Sequence, residues 1–222
     1  MIRCYDPRDA PLLQAALDPS VEHLSEWMPW ARLEPQTLEQ KVELLRAFRG
    51  QFDHDDNYVY GIFSRDESEL LGGSGFHKRS NEGSLEIGYW VAVGAVRQGI
   101  ATEVTAVLTR AGFEVCGLDR VDVQIDPGNE PSLGVPRKLG FTEEGVLRRR
   151  LDPNEEGGLR RDSTVFTMLR EELAGSPCRQ YDYIAYDVVG NRLVRPLRTF
   201  DLKRGGTLGL VSNLDASDLW RC

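Results

Sequence analysis

The sequence of 222 residues is poor in cysteine, histidine and long apolar runs, and each shortage excludes a class of protein. Its four cysteines are widely spaced and form no C-x-x-C pair, which argues against a disulfide framework and a cysteine zinc site. The three histidines show no H-E-x-x-H spacing, so we expect no metal. The longest mostly apolar stretch, Ile87 to Val96, is too short to cross a membrane. The first residues lack the apolar core of a signal peptide, and we expect a cytoplasmic protein.

The phosphate-binding signatures of the common nucleotide folds are also missing. The sequence has no Walker G-x-x-x-x-G-K-[ST] motif and no G-x-G-x-x-G fingerprint, which removes the usual support for a P-loop ATPase or a Rossmann dehydrogenase. The chain carries 27 Lys and Arg against 35 Asp and Glu, a net charge of −8. Such an acidic chain is a poor candidate for binding nucleic acid, and it is better suited to cationic partners such as amines.

Periodicity predicts a mixed α/β domain with the element order β-α-α-β-β-β-α-β-α-β-β. Apolar residues at helical spacing predict helices over residues 9–24 and 36–52, a third through 104–115 and a short fourth before Gly140. Alternation and turn signals predict strands at 57–64, 70–78, 84–93, 120–126, 142–151 and 163–170.

The strand at 84–93 carries a carboxylate in a segment that otherwise reads as buried. Alternation places Glu86, Gly88 and Trp90 on one face. A solvent-facing glutamate is the plain interpretation, but a small residue and a tryptophan beside it favour a partly desolvated, functional Glu86.

The segment from Val96 to Thr102 joins this strand to the next helix and predicts an anion site. A glycine-containing loop that leads into a helix N-terminus directs unpaired backbone N–H groups and the positive end of the helix dipole at one point. Gly99 and Ala101 keep that point free of large side chains.

Two further clusters leave alternatives open. Trp27-Met28-Pro29-Trp30 forms a rigid apolar wall, which is either a plug over the core or the lining of a substrate site. The arginines at 148–150, 160 and 161 read as a solvated strand face or as a partner for phosphate or carboxylate.

Composition changes near residue 175 and predicts a domain boundary. Up to Gly175 the chain has 20 basic and 30 acidic residues, and beyond it has 7 and 5. We therefore divide it into a domain at 1–175 and a C-terminal extension at 176–222. The extension holds strand-like segments at 183–189 and 192–194 around a Gly190-Asn191 turn, which predicts a hairpin. We expect it to pack on the domain or on a second subunit of a homodimer.

With these pieces in order, the chain resembles the GNAT acyl-CoA N-acyltransferase superfamily, and more narrowly its RimJ/RimL type. The matching segments cover residues 1 to about 172 in the family's order. They are Glu86-Ile87-Gly88-Tyr89-Trp90, Arg97-Gln98-Gly99-Ile100-Ala101-Thr102-Glu103, Asn129-Glu130-Pro131-Ser132 and Lys138-Leu139-Gly140-Phe141. The resemblance implies a central twisted, mostly antiparallel sheet with one splayed parallel pair, flanked by helices.

The resemblance also implies an acyl-CoA co-substrate, with acetyl-CoA as the first choice. The family's phosphate loop corresponds here to Arg97, Gln98, Gly99, Ile100, Ala101 and Thr102, with Val96 where the family has Gln or Arg. The pantetheine arm is expected along the strand backbone. Its expected contacts are Tyr89, Trp90, Val91 and Val93, together with Asn129.

Catalytic roles follow from the same resemblance. Glu86 corresponds to the general base that removes a proton from the amine. The family's tyrosine acid is replaced by Pro136, and Ser132 matches the serine that RimL-type enzymes use instead. A second carboxylate of those enzymes falls near Leu151. We expect Trp27, Trp30 and Trp90 to bind the acceptor.

The predicted function is therefore acyl transfer to a primary amine: a protein N-terminus, a small amine or an aminoacyl nucleotide. Transfer of a succinyl-type group, whose carboxylate the arginines at 148–150 would pair, is one alternative. A non-catalytic acyl-CoA sensor is another, supported by Val96 and by the missing tyrosine. An RNA-binding protein would need the arginine cluster to bind phosphate, and we give it the least weight.

Overall fold

The strand segments predicted by alternation assemble into one sheet. The computed structural model describes residues 1–79, 83–187, 190–193 and 209–211. In that part of the chain the sheet order is β6-β7-β5-β4-β3-β2-β1-β10-β8-β9. The strands are β1 Ile2–Cys4, β2 Tyr58–Phe63, β3 Leu70–His77, β4 Ser84–Val91, β5 Arg120–Ile125, β6 Thr142–Leu151, β7 Arg161–Leu169, β8 Ile184–Tyr186, β9 Arg192–Leu193 and β10 Gly209–Val211.

Neighbouring strands pair antiparallel except β4 and β5, which are parallel. Their pairing covers only Ser84–Arg120, Leu85–Val121 and Glu86–Asp122. Beyond Glu86, β4 continues to Val91 along β3 alone, so the two strands part. A mostly antiparallel sheet with one splayed parallel pair, flanked by helices, confirms the predicted fold class.

Within the described ranges, five α-helices pack against this sheet in two apolar clusters. The helices are α1 Ala10–Leu17, α2 Val21–Ser25, α3 Leu38–Asp53, α4 Ile100–Glu114 and α5 Glu130–Leu139. The larger cluster lies under α4 and α5, where Val107, Leu108 and Leu139 are at most 1% exposed. The smaller one joins α1 to α3 through Leu13 and Leu45. Burial of each large aliphatic side chain on these faces stabilises the fold by about 1.5–3 kcal/mol.

The prediction of one continuous helix at 9–24 is wrong, because the structure has two helices there. The chain forms α1, then a 3₁₀ turn from Asp18 to Ser20, then α2. Pro19 lies in that turn, and its ring removes a backbone donor and disfavours a helical residue before it. The strand predicted at 84–93 also ends early, at Val91, because a 3₁₀ turn follows at Val93–Ala95.

Beyond residue 175 the described residues continue the sheet. A 3₁₀ turn at Pro177–Gln180 buries Cys178, and Ser176 Oγ donates to the Leu139 carbonyl at 2.7 Å. Strand β8 pairs antiparallel with β9, while residues 188, 189 and 194 of the predicted hairpin lie outside the described residues. The boundary at 175 stays a prediction. Among the described helices, none is long and apolar enough to span a bilayer.

A buried ion pair joins α3 to the segment that precedes it. Lys41 Nζ lies 2.6 Å from Glu34 Oε2, with the two side chains 0% and 3% exposed. The same carboxylate oxygen accepts the Gln36 N–H at 2.8 Å. Residues 27–36, here called the tryptophan segment, are thereby held against α3 at their C-terminal end.

We predict that Lys41→Met lowers the free energy of unfolding by about 3–5 kcal/mol, because it leaves the Glu34 carboxylate buried without its cation. Urea denaturation measures the loss. The double variant Lys41→Met/Glu34→Gln should recover much of it, since no uncompensated charge remains. The matched control is Glu43→Gln, which breaks an exposed Glu43–Arg46 pair and should change stability by less than about 0.5 kcal/mol. A Lys41→Met protein as stable as the parent would contradict the argument.

Candidate active site

A cavity of about 710 Å³ opens where β4 parts from β5. Its walls come from the tryptophan segment, β3, β4, the end of β5 and the start of α5, and the loop between β6 and β7. Seven of the predicted site residues line it: Trp27, Trp30, Glu86, Tyr89, Trp90, Asn129 and Ser132. Val91, Val93 and the loop at 97–102 lie outside it.

Glu86 lies in the cavity wall, at the last paired position between β4 and β5. The residue is 5% exposed, and its Oε2 accepts from Gln124 Nε2 at 2.9 Å. Gln124 Oε1 in turn accepts from Ser163 Oγ, which fixes the orientation of the amide. Arg79 Nη1 is 3.5 Å from the other carboxylate oxygen.

Burial is the dominant influence on this carboxylate and raises the pKa of Glu86. Arg79 and the Gln124 hydrogen bond act in the opposite direction, while Asp122 adds to the rise. A carboxylate with a raised pKa is a stronger base once ionised. Glu86 is therefore desolvated, as the strand pattern predicted, and chemically suited to proton transfer.

Tyr89 and Ser132, which also line the cavity, contact each other. The Tyr89 hydroxyl lies 3.0 Å from Ser132 Oγ and 3.1 Å from the Ser132 carbonyl oxygen. Asn129 caps α5 by accepting the Ser132 N–H at 3.2 Å, and Pro136 lies buried within that helix. Burial raises the pKa of Tyr89 to about 12, so the phenol stays protonated. The sequence predicted Tyr89 only as a backbone contact for pantetheine. Its hydroxyl contact with Ser132 depends on the packing of β4 against α5, which local sequence patterns do not reveal.

The three tryptophans form one side of the cavity. The rings of Trp30 and Trp90 lie edge-to-face with centroids 6.0 Å apart, and Trp30 remains 40% exposed. Of the two interpretations of Trp27–Trp30, the geometry favours a lining over a sealed plug, because the wall is open to solvent at Trp30.

Arg161 ties three segments together at the mouth of the cavity. Its guanidinium donates to Asp126 Oδ2 at 2.7 Å, to the Trp27 carbonyl at 3.0 Å and to the Asp152 carbonyl at 2.9 Å. The side chain is 14% exposed. Arg161 is therefore a structural cation, and neither sequence interpretation of the arginine cluster describes it.

The rest of that cluster divides in two. Arg160 donates to the carbonyls of Arg149 and Arg150 and pairs with Asp152. Arg148, Arg149 and Arg150 are exposed, and of these three Arg150 alone lines the cavity.

The loop before α4 has the backbone of an anion site. Gly99 adopts φ +83° and caps α4 without a side-chain hydrogen bond, and Arg97 is also left-handed at φ +63°. A Cβ at position 99 would meet no atom within 4 Å, so the space above this helix start is open. The first N–H groups of α4 have no acceptor within the helix. This opening fits a pyrophosphate.

The backbone predicted to pair with pantetheine is in part already occupied. The Val93 N–H donates to Ser20 Oγ at 3.0 Å. In the part of the chain that the structure describes, no strand pairs with β4 on the β5 side after Glu86, so backbone groups as far as Val91 are open to an extended ligand. Among the described residues, no cluster of three His, Cys, Asp or Glu could hold a metal ion.

A splayed parallel pair with a helix start beside it, and a buried carboxylate in the adjoining cavity, define the class of acyl-CoA-dependent acyltransferases. Residues 1–142 match the family described as "Acetyltransferase (GNAT) domain", and the chain belongs to this family. It is an acyl-CoA-dependent N-acyltransferase.

Individual relatives narrow the comparison. "Uncharacterized N-acetyltransferase YoaA" of Bacillus subtilis (strain 168) is 31% identical over 136 residues, 61% of this chain and 75% of the relative. "Putative ribosomal N-acetyltransferase YdaF" of the same organism is 28% identical over 175 residues, 78% and 93% of the two chains. Mycobacterium smegmatis RimJ, solved with CoA-disulfide, superposes with a TM-score of 0.68 at 26% identity, covering 81% of this chain and 86% of RimJ. These similarities confirm the resemblance to the RimJ/RimL type.

We predict that Arg161→Leu lowers the free energy of unfolding by about 2–3 kcal/mol, because it leaves Asp126 and two carbonyls without their shared donor. It should also raise the acrylamide quenching of tryptophan fluorescence, since the Trp27 carbonyl loses its anchor. Exposed Arg148→Leu is the matched control and should leave both measurements unchanged. Equal quenching in the two variants would show that Arg161 does not hold the tryptophan segment.

Proposed function

We propose that this N-acyltransferase transfers an acetyl group from acetyl-CoA to a primary amine, with protein N-terminal amines as the first acceptor class. The observation that carries the proposal is the buried Glu86 carboxylate in the wall of an open cavity, at the point where β4 parts from β5. The similarity to YdaF, named for ribosomal N-acetylation, supports the acceptor class.

Glu86 acts as the general base in this proposal. A protein α-amino group has a pKa of about 8 and an alkyl amine one of about 10, so both are mostly protonated at neutral pH and must lose a proton before attack. The raised pKa of the Glu86 carboxyl reduces the difference between its pKa and that of the amine. The remaining difference is smaller for a protein N-terminus than for an alkyl amine. Gln124 holds one carboxylate oxygen and leaves the other toward Arg79 and the cavity.

Ser132 is the proposed hydrogen-bond donor to the departing sulfur. Ser132 lines the same cavity as Glu86, and its hydroxyl contacts the Tyr89 hydroxyl at 3.0 Å. The Tyr89 hydroxyl has one proton, which it can donate to the Ser132 carbonyl oxygen or to Ser132 Oγ. In the second arrangement the serine proton is free to point into the cavity. Position 136, where related enzymes carry a tyrosine, is a proline and supplies no proton.

Residues 97–102 hold the pyrophosphate in this proposal through the N–H groups at the start of α4, and β4 backbone up to Val91 pairs with pantetheine. Bound acetyl-CoA supplies an activated thioester and a thiolate leaving group. Succinyl-CoA is the second donor to test, because Arg150 lines the cavity and has no ion pair among the described residues. The cytoplasmic location and the homodimer stay predictions.

The experiment measures thiol release from acetyl-CoA and succinyl-CoA with peptides carrying free N-termini and with small amines. We expect peptide-dependent turnover that falls by about 10²–10⁴ in Glu86→Gln, while calorimetry shows unchanged acetyl-CoA affinity. Exposed Glu144→Gln is the matched control and should retain full activity. Equal turnover by Glu86→Gln and the parent would remove Glu86 from the mechanism.

We further predict that kcat/KM falls at acidic pH. The midpoint of this acid limb should lie at a pH above the ordinary glutamate pKa of about 4.3. The reason is that burial raises the pKa of Glu86, and only the ionised carboxylate accepts a proton, so the rate falls as the pH drops through that raised value. The limb should disappear from the residual activity of Glu86→Gln. A limb that persists unchanged in this variant would assign it to another group.

A further inference from the structure

His77 lies flat on a pair of glycines in the floor of the cavity. Gly75 and Gly88 face each other across β3 and β4, and His77 faces Glu86 two pairs further along. A Cβ at Gly88 would lie 3.0 Å from His77 Nε2, and a Cβ at Gly75 would lie 3.3 Å from the same atom. The two glycines therefore leave the space that the imidazole occupies, next to the proposed base.

A hydrogen bond to Asn57 fixes which ring nitrogen of His77 carries the proton. His77 Nδ1 lies 2.8 Å from Asn57 Oδ1, and Asn57 Nδ2 donates to Gln51 Oε1 at 3.2 Å. The amide is thus oriented with its oxygen toward the ring. An amide oxygen can only accept, so Nδ1 is the protonated nitrogen and Nε2 presents a lone pair.

The environment keeps this lone pair available. Burial first, and then the nearby charge of Arg79, lower the pKa of His77 to about 4, so the ring is neutral at physiological pH. The charged groups that face it are Glu86 across the strand pair and Arg79 two residues on. Among the described residues, Nε2 has no hydrogen-bond partner. A neutral nitrogen acceptor thus lies in the same cavity floor as the carboxylate.

We infer that His77 Nε2 accepts a hydrogen bond from an N–H of the acceptor amine and thereby holds the amine nitrogen beside Glu86. The inference rests on the proposed function. Once an ammonium group has given one proton to Glu86, two N–H groups remain, and each that leaves water on binding needs an acceptor. An alcohol that gives up its proton has none left to donate. The pair of acceptors therefore selects amines over hydroxyl groups.

Two substitutions at position 77 separate an acceptor role from packing. Glutamine can place its Oε1 near the Nε2 position, whereas leucine fills similar volume without an acceptor. We expect His77→Leu to raise the KM for an alanine-terminated peptide by about tenfold, the effect of one lost hydrogen bond, with the KM for acetyl-CoA unchanged. His77→Gln should stay within about threefold of the parent. Exposed His54→Leu, at the end of α3, is the matched control.

A substitution at Asn57 provides a measurement that does not depend on how the His77 ring packs. In Asn57→Asp the carboxylate accepts the same Nδ1 proton but raises the pKa of His77, so the ring becomes protonated as the pH falls and Nε2 loses its lone pair. We therefore expect peptide KM to rise at low pH in this variant and to return to the parent value at high pH. Nitrogen-15 spectra of labelled histidine follow the protonation of Nε2 directly.

The outcomes separate this inference from the proposed function. Absence of peptide turnover in the parent protein would overturn both. Turnover in the parent that depends on Glu86, with equal peptide KM in His77→Leu and the parent, would overturn the His77 inference alone. So would a His77→Gln variant as impaired as His77→Leu, or a spectrum of the parent with Nε2 protonated near neutral pH.

Discussion

The parting of β4 from β5 after the Glu86–Asp122 pair is the constraint on which the rest of the site depends. A sheet normally pairs every backbone N–H and C=O in its interior, and a ladder that stops leaves such groups without partners. Among the described residues, the edge of β4 as far as Val91 is left without a strand on the β5 side, and the helix start at Gly99 follows it in the chain. The cavity opens at the same gap, so the buried carboxylate and the open strand edge lie at the end of one interrupted ladder.

Three polar groups of the cavity are each held by a hydrogen bond to a neighbouring side chain. Glu86 has one oxygen held by Gln124, and His77 has one nitrogen held by Asn57. Ser132 is oriented by the Tyr89 hydroxyl. A hydrogen bond behind each group sets its direction before a substrate arrives, which reduces the cost of ordering these side chains during reaction.

Local signals predicted the parts of this arrangement that lie on single elements. Alternation along β4 was enough to identify Glu86 as a desolvated carboxylate, and the glycine before α4 was enough for the helix start. The sequence could not predict the contact between Tyr89 and Ser132, or the bonds of Arg161 to Asp126 and to the Trp27 carbonyl, because each joins elements distant in the chain. Helical spacing around Pro19 outweighed the break that a proline imposes, and there the prediction failed.

The close approach of β3 to the Trp90 ring has an evolutionary consequence. Gly73 faces Trp90 across the strand pair, and a Cβ at position 73 would lie 2.3 Å from the indole nitrogen. A single methyl group there displaces the ring that, with Trp30, forms one wall of the cavity. The shape of this wall is therefore linked to one codon on a neighbouring strand, at a residue whose own side chain is a single hydrogen atom.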